Sequence, residues 1–129
     1  MKLIKLLQEQ RLPETDRKQL MRDFIKFCIR ELGLKKPIKC KIILTNNKDK
    51  TSTYAHYQPG KEIIVYMGDR SLGDGMRSLC HELQHHKQFQ EGRLTQDSGK
   101  TGSDIENESN STSGIIMRKF GKLYPQIYE

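Results

Sequence analysis

The chain has 129 residues, of which 34% are hydrophobic and 30% are charged, and its formal net charge is +7. This length suits one domain with a modest core. No apolar run approaches the roughly 18 residues that cross a bilayer, which argues against a membrane protein. The first residues, MKLIKLLQEQR, also lack the apolar region and cleavage site of a secretory signal. They predict an amphipathic first helix, in a cytoplasmic protein with a single domain over residues 1–129.

The positive charge is concentrated in the amino-terminal half. Residues 1–61 hold 15 basic and 6 acidic side chains, a net charge of +9, whereas residues 62–129 hold 8 and 10, a net charge of −2. A basic surface attracts nucleic acid or another polyanion. These basic residues are scattered through amphipathic segments, however, which is typical of solvated faces. Weak binding of nucleic acid through residues 1–61 is therefore an alternative rather than the main interpretation.

The cysteines, Cys28, Cys40 and Cys80, are odd in number and contain no C-x-x-C pair. This pattern argues against a disulfide framework and against a zinc ribbon. We expect reduced, buried thiols.

A helix over about residues 15–32 comes next. Apolar side chains recur there at helical spacing, and Gly33 stands where a helix commonly ends. The inward-facing positions are Leu20, Phe24, Phe27, Cys28 and Leu32.

Three short strands are predicted after this helix. PIKCKIIL and TSTYAHY alternate apolar and polar residues, and EIIVYM is a β-branched run. Turn-like sequences, NNKDK and PG, separate the strands. We expect a mostly antiparallel sheet, arranged as a meander.

Two further helices complete the prediction. Asp74 is a candidate N-cap for a helix that ends at Gly92, and a last helix runs from Ser103 to about Phe120, where Gly121 stops it. The first of these helices carries Met76, Leu79, Cys80 and Leu83 inward. The order of elements predicts a small α+β domain.

The sequence HELQH falls on the first of these two helices. His81 and His85 are four residues apart, so both project from one face and can reach one metal ion. Glu82 lies about 100° around the helix from His81, a position that suits a general base acting on a water molecule better than a ligand. A solvated helix end is the competing interpretation. It explains His86 well, because His86 points elsewhere, but it explains His81 poorly, because His81 sits beside buried positions.

A catalytic zinc site needs a third protein ligand and an open position. Cys80 and His56 are available, and the last helix offers acids at positions 104, 106 and 108. Glu106 has a competing role, because Ser103-Asp104-Ile105-Glu106 matches a capping box in which Glu106 reaches back to the helix start. Glu108 has no such role, and the two glutamates are about 200° apart on the helix, so both cannot face one ion.

HELQH followed by IENESNSTSGIIM resembles the gluzincin metallopeptidases, and it is particularly similar to the ImmA/IrrE-like branch and to small phage-encoded metallopeptidases. The resemblance covers about residues 74–121. It implies a zincin-like domain in which zinc is held by His81, His85 and Glu108, and in which Glu82 activates water. Ser109 and Ser113 depart from the alanines that are usual in the family, and the typical Leu-Met-Pro ending is absent. No helix-turn-helix region accompanies the motif, so repressor cleavage is not implied.

From these residues we expect a zinc-dependent peptidase that hydrolyses a protein or peptide, in the host cytoplasm if the chain is phage-encoded. An edge strand of the sheet would hold an extended substrate. The oxyanion-stabilising group has no discriminating signal; the candidates are His86, Tyr54, Tyr57, Tyr66 and Tyr124. The alternative function is a non-catalytic module, stabilised by zinc, that binds nucleic acid through its basic amino-terminal half.

Overall fold

A computed structural model of the chain describes residues 12–36, 38–43, 55–68, 70–94 and 103–128. Its order of elements confirms the α+β class. The helix predicted for MKLIKLLQEQR lies outside the described residues. In chain order the elements are α1 (Glu14–Leu32), β1 (Lys39–Ile43), β2 (Ala55–Gln58), β3 (Glu62–Tyr66), α2 (Leu72–Gln90), α3 (Asp104–Leu123) and a 3₁₀ helix (Pro125–Ile127).

Helix α1 agrees with its prediction to within one residue. Its buried face includes Phe24 and Cys28, which are fully buried. Gly33 ends the helix with φ +67°, and its N–H and that of Leu34 bond back to the carbonyls of Arg30 and Ile29. This is the pairing expected for a helix that ends on a left-handed glycine.

The sheet has the order β1-β3-β2, so the predicted meander is wrong. Strand β3 pairs antiparallel with β2, through a turn in which Gly60 has φ +74°, and pairs parallel with β1. This order puts the most apolar strand in the centre, where Ile63 and Val65 are completely buried. The more polar strands β1 and β2 then form the two edges, which is the better arrangement for burial.

The N-cap of helix α2 lies three residues earlier than predicted. Ser71, not Asp74, is the N-cap, because the Ser71 hydroxyl accepts a hydrogen bond of 3.2 Å from the Asp74 N–H. A serine three residues before an acid satisfies the first turn in this way. The end near Gly92 is confirmed by its φ of +72°. Inward positions are also confirmed: Met76, Leu79, Cys80 and Leu83 are fully buried.

Helix α3 begins as predicted and ends later than predicted. The Ser103 hydroxyl accepts a hydrogen bond of 3.2 Å from the Glu106 N–H. Gly121 does not stop the helix, which continues to Leu123. Instead Gly121 is buried under the ring of Tyr128, and a side chain at this position would overlap that ring. The glycine therefore serves a close contact rather than a helix end.

The buried apolar residues form one cluster in which α2 contacts α1, α3 and the sheet. Phe24 and Phe120 meet there edge to face, with ring centroids 5.0 Å apart. Cys28 and Cys80 are buried and Cys40 is half-buried, and all three thiols are free. In the described ranges no helix has the length and apolarity that a membrane span requires.

Candidate metal centre

Three potential ligand atoms converge between α2 and α3. Nε2 of His81 and Nε2 of His85 lie 3.0 Å apart. The Glu106 carboxylate closes the triangle, with Oε1 at 2.7 Å from the His85 nitrogen and Oε2 at 3.1 Å from the His81 nitrogen. Helical spacing of four residues places the two imidazoles one turn apart on the same face of α2, as predicted. Among the described residues, these three form the group that could hold a metal ion.

The carboxylate in this triangle is Glu106, so the sequence assignment of Glu108 is corrected. The two glutamates do face opposite sides of α3, as their spacing requires, but the crossing of α3 over α2 turns the Glu106 side toward the histidines. Ser103 caps the helix as predicted. Both carboxylate oxygens of Glu106 nevertheless contact imidazoles. The capping-box pattern at Glu106 was therefore a misleading signal.

Glu108 is held by four donor groups on the other side of the helix. The Arg93 guanidinium binds it through two nitrogens, Nη1 at 2.9 Å and Nη2 at 2.6 Å, and the side-chain amides of Gln84 and Gln88 donate at 2.7 Å and 3.1 Å. The Arg93 and Gln88 hydrogen bonds, in that order, lower the pKa of Glu108 to about 2. This carboxylate fastens α3 to the end of α2 and has little acceptor capacity left for an ion.

A hydrogen-bond network fixes the orientation of His85. Gln88 donates from Nε2 to the Ile105 carbonyl and to Glu108, so its Oε1 is the free acceptor. That oxygen lies 2.8 Å from Nδ1 of His85, and the Ser109 hydroxyl lies 3.2 Å from the same nitrogen. Nδ1 must then carry the proton, which leaves a lone pair on Nε2 of His85 pointing into the triangle.

Two acceptor atoms, Nε2 of His85 and the Glu106 carboxylate, therefore face each other at 2.7 Å. Such a contact is attractive only if a positive charge lies on or between the groups, either as a proton on the ring or as a metal ion. Burial, and then the proximity of His85, lower the pKa of His81, although Glu106 and a hydrogen bond to Asn110 oppose this shift. A neutral His81 is the form that binds metals.

Glu82 lies next to this triangle and lines the same cavity of about 680 Å³. Burial, the largest effect, raises the pKa of Glu82 to about 7; His85 opposes the shift and Glu106 adds to it. No described residue donates a hydrogen bond to its carboxylate. Glu82 can therefore accept and release a proton near neutral pH. His56 lines the cavity as well, but it is not part of the triangle.

The residues that were candidates for stabilising the oxyanion lie in different parts of the structure. His86 is buried and has both ring nitrogens engaged: Nε2 donates to the Lys36 carbonyl at 3.1 Å, so Nδ1 accepts the Tyr57 hydroxyl proton at 2.9 Å. His86 is thus a structural residue, whereas Tyr57 lines the cavity with its proton directed to His86. Tyr66 lies in β3 and Tyr124 packs on Phe120, with centroids 4.7 Å apart. Tyr54 lies outside the described residues.

Of the three polar residues that sequence analysis missed, two contact the candidate ligand histidines and the third binds Glu108. Gln88, Asn110 and Arg93 are polar side chains without a motif, and only the contact between α2 and α3 reveals their partners. The available signal for Gln88 was a glutamine three residues after a candidate ligand histidine.

No protein-family model, no curated protein and no solved structure matches the chain.

Proposed function

We propose that this protein is a zinc-dependent metallopeptidase. The observation that carries the proposal is the convergence of two imidazole nitrogens and the Glu106 carboxylate, with the half-buried Glu82 lining the same cavity. Two nitrogens and one carboxylate form the ligand set of catalytic zinc in several peptidase classes, and three protein ligands leave a coordination position for water or substrate. Within the described residues no fourth ligand joins the triangle, which favours a catalytic over a purely structural site.

The dimensions of the triangle fit this ion. Ligand atoms about 2.0–2.1 Å from a tetrahedral zinc lie about 3.3 Å from one another. The two imidazole nitrogens are 3.0 Å apart, and one ligand atom from each of the three residues lies within 4.8 Å of the other two, which is compatible with a shared ion. When bound, zinc would polarise the scissile carbonyl and lower the pKa of a water molecule. It would also supply the positive charge that the facing acceptors of His85 and Glu106 require.

Glu82 acts as the general base and then as the general acid. It removes a proton from the attacking water and delivers it to the leaving amine, which requires a group that changes protonation near neutral pH. Its raised pKa, about 7, supports this role. Gln88 and Asn110 hold the two imidazoles in position. His81 and His85 therefore serve as ligands, while Glu82 transfers the proton.

Strand β2 is the element best suited to hold an extended substrate. It is an edge of the sheet, and its residues Ala55, His56 and Tyr57 line the cavity of the metal centre. An edge strand offers unpaired backbone groups to a peptide, which adds to the sheet as a further strand. We further propose that the protein acts in the cytoplasm, since its three free cysteines fit a reducing compartment.

The first test is metal content, followed by activity of Glu82→Gln. Purified protein should hold about one zinc per chain and release it below about pH 6, as the imidazoles become protonated. Glu82→Gln should retain zinc and lose peptide hydrolysis by a factor on the order of 10² or more. Glu14→Gln, an exposed acid at the start of α1, is the control for the change in charge. Protein that cannot be loaded with zinc at pH 7.5 would disprove the proposal, as would full activity of Glu82→Gln.

A further inference from the structure

A second cavity of about 840 Å³ adjoins the metal centre, and its rim is strongly basic. We call it the lysine groove. Its floor includes Ile38 and Phe89, and the single acidic side chain among its described lining residues is Glu91, which pairs with Arg93 at 3.2 Å. The lysines that line it are Lys35, Lys36, Lys39, Lys61 and Lys87.

These lysines come from three parts of the chain, residues 35–39, Lys61 and Lys87, and backbone hydrogen bonds hold two of them in place. The Lys36 carbonyl accepts hydrogen bonds from His86 and Gln90 of α2. The Lys61 N–H bonds to the Gln58 carbonyl in the β2–β3 turn, at 2.9 Å. Lys39 is the first residue of β1 and Lys87 belongs to α2. The fold thus brings Lys61 and Lys87 to the basic stretch at residues 35–39.

The described part of the chain provides no carboxylate partner for the lysines of the groove. None of the five lysines makes an ion pair with a carboxylate in the described ranges, not even Lys39, which lies opposite Glu62 in the sheet register. Like charges around one cavity repel each other. A bound anionic group would relieve that repulsion and gain from the field of several ammonium groups at once.

The groove and the cavity of the metal centre share a wall. Phe89, which is 42% exposed, lines both. Pro59 lines the metal cavity and its neighbour Gly60 lines the groove. An extended chain that lies along edge strand β2 therefore passes over Phe89 and the β2–β3 turn from one cavity into the other.

We infer that the lysine groove binds an acidic segment of the peptide substrate, next to the bond that is cut. The inference rests on the proposed peptidase function and adds a substrate class to it. Carboxylate side chains of the substrate would meet the lysines, and its apolar parts would rest on Ile38 and Phe89. Nucleic acid fits the groove less well. Single strands are usually held by several stacked aromatic rings, whereas Phe89 is the one exposed ring in the described lining, and the His86 ring is buried.

The test is the binding of two matched synthetic peptides to the Glu82→Gln protein, measured by fluorescence anisotropy. One peptide carries four consecutive glutamates, and the other carries four glutamines at the same positions. We expect the glutamate peptide to bind about tenfold more tightly, and the difference to shrink as salt is raised toward 0.5 M. Equal affinity of the two peptides in low salt would overturn the inference, without any need for a groove variant.

Two triple variants then locate the binding. The groove variant combines Lys35→Gln, Lys39→Gln and Lys61→Gln, and the control variant combines Lys18→Gln, Lys26→Gln and Lys122→Gln. The control lysines are exposed and lie outside the groove lining. Replacing them removes the same net charge as the groove variant does. The groove variant should lose about tenfold in affinity for the glutamate peptide and the control less than twofold. Equal losses would mean that only the overall charge matters, and the inference would fail.

The outcomes also separate this inference from the proposed function. Lysine-dependent binding of the glutamate peptide, with no cleavage by wild-type zinc-loaded protein, would support the groove and refute the peptidase. Cleavage with no preference for acidic segments would support the peptidase and refute the groove. A single-stranded oligonucleotide that binds more tightly than the glutamate peptide, through the same three lysines, would make the groove a nucleic-acid surface and overturn the inference.

Discussion

The two sides of α3 hold two glutamates in opposite electrostatic settings. On one side, Glu106 faces two imidazoles, of which His85 presents a lone pair, and on the other side Glu108 faces the permanent cation of Arg93 and two amides. The two glutamates are only two positions apart. Among the described residues, Glu106 lacks a positively charged partner, whereas the oxygens of Glu108 already accept hydrogen bonds from four donor groups. The difference teaches that a ligand carboxylate is recognised by what its neighbours leave unsatisfied, not by its place in a motif.

The largest difference in zinc binding is expected when each of the two glutamates is replaced by glutamine. Glu106→Gln should weaken zinc binding by about 10³-fold or more and abolish peptide hydrolysis, because a neutral amide is a poor zinc ligand. Glu108→Gln should keep zinc within about tenfold of wild type, since it acts only through Gln88 and the helix contact. Competition with a fluorescent chelator measures both affinities. If Glu108→Gln loses the metal and Glu106→Gln retains it, the ligand assignment made from the geometry is wrong.

A smaller effect on zinc binding is expected at Gln88 of α2, which connects Glu108 to the candidate ligand His85. Its amide joins Glu108 to Nδ1 of His85. Gln88→Ala should free the imidazole to rotate and should weaken zinc binding by about 10–100-fold. Gln90→Ala is the matched control on the same helix, because Gln90 bonds only to the Lys36 carbonyl. Equal zinc affinities of the two variants would show that the histidine needs no such support.

The smallest effect should come from the Arg93 side, and it should depend on pH. The pKa of Glu108 is lowered from 4.5 to about 2 in the folded protein, chiefly by Arg93. The resulting stabilisation is fully present above pH 4.5 and is lost as the pH falls toward 2. Because both side chains are partly exposed, we expect Arg93→Gln to lower Tm by only a few degrees at pH 7.

The difference in Tm between wild type and Arg93→Gln should therefore narrow when melting is followed from pH 6 down to pH 2.5. Glu91→Gln is the control, since it removes the other carboxylate that contacts Arg93 and leaves Glu108 in place. A difference that stays constant over this pH range would mean that Arg93 stabilises the protein by some route other than Glu108.

Local patterns in the sequence were enough to place the described helices and two of the three potential ligands, His81 and His85. The burial of Leu79 and Leu83 and the common face of His81 and His85 follow from 3.6 residues per turn, whatever the rest of the chain does. Ser71 and Ser103 likewise cap helices through bonds within one turn, although Ser71 was overlooked in favour of Asp74.

The choice of glutamate and the order of the strands could not be predicted from local sequence patterns. Which of two opposed glutamates faces the histidines depends on how α3 packs against α2, through the buried residues of both helices. The position of β1 beside β3 depends on which strands flank the buried Ile63 and Val65. In both cases the determining contacts join residues far apart in the chain, so no window of neighbouring residues contains them.

The three candidate ligands come from two helices, so a bound zinc would be a ligand of the native state alone. Free energy of binding then adds to the free energy of unfolding, by about 2.7 kcal/mol when free zinc is a hundred times its dissociation constant. Such an increment is a large fraction of the stability of a small domain. The amount of folded protein would then follow the supply of free zinc, so that a fall in that supply lowers abundance as well as activity.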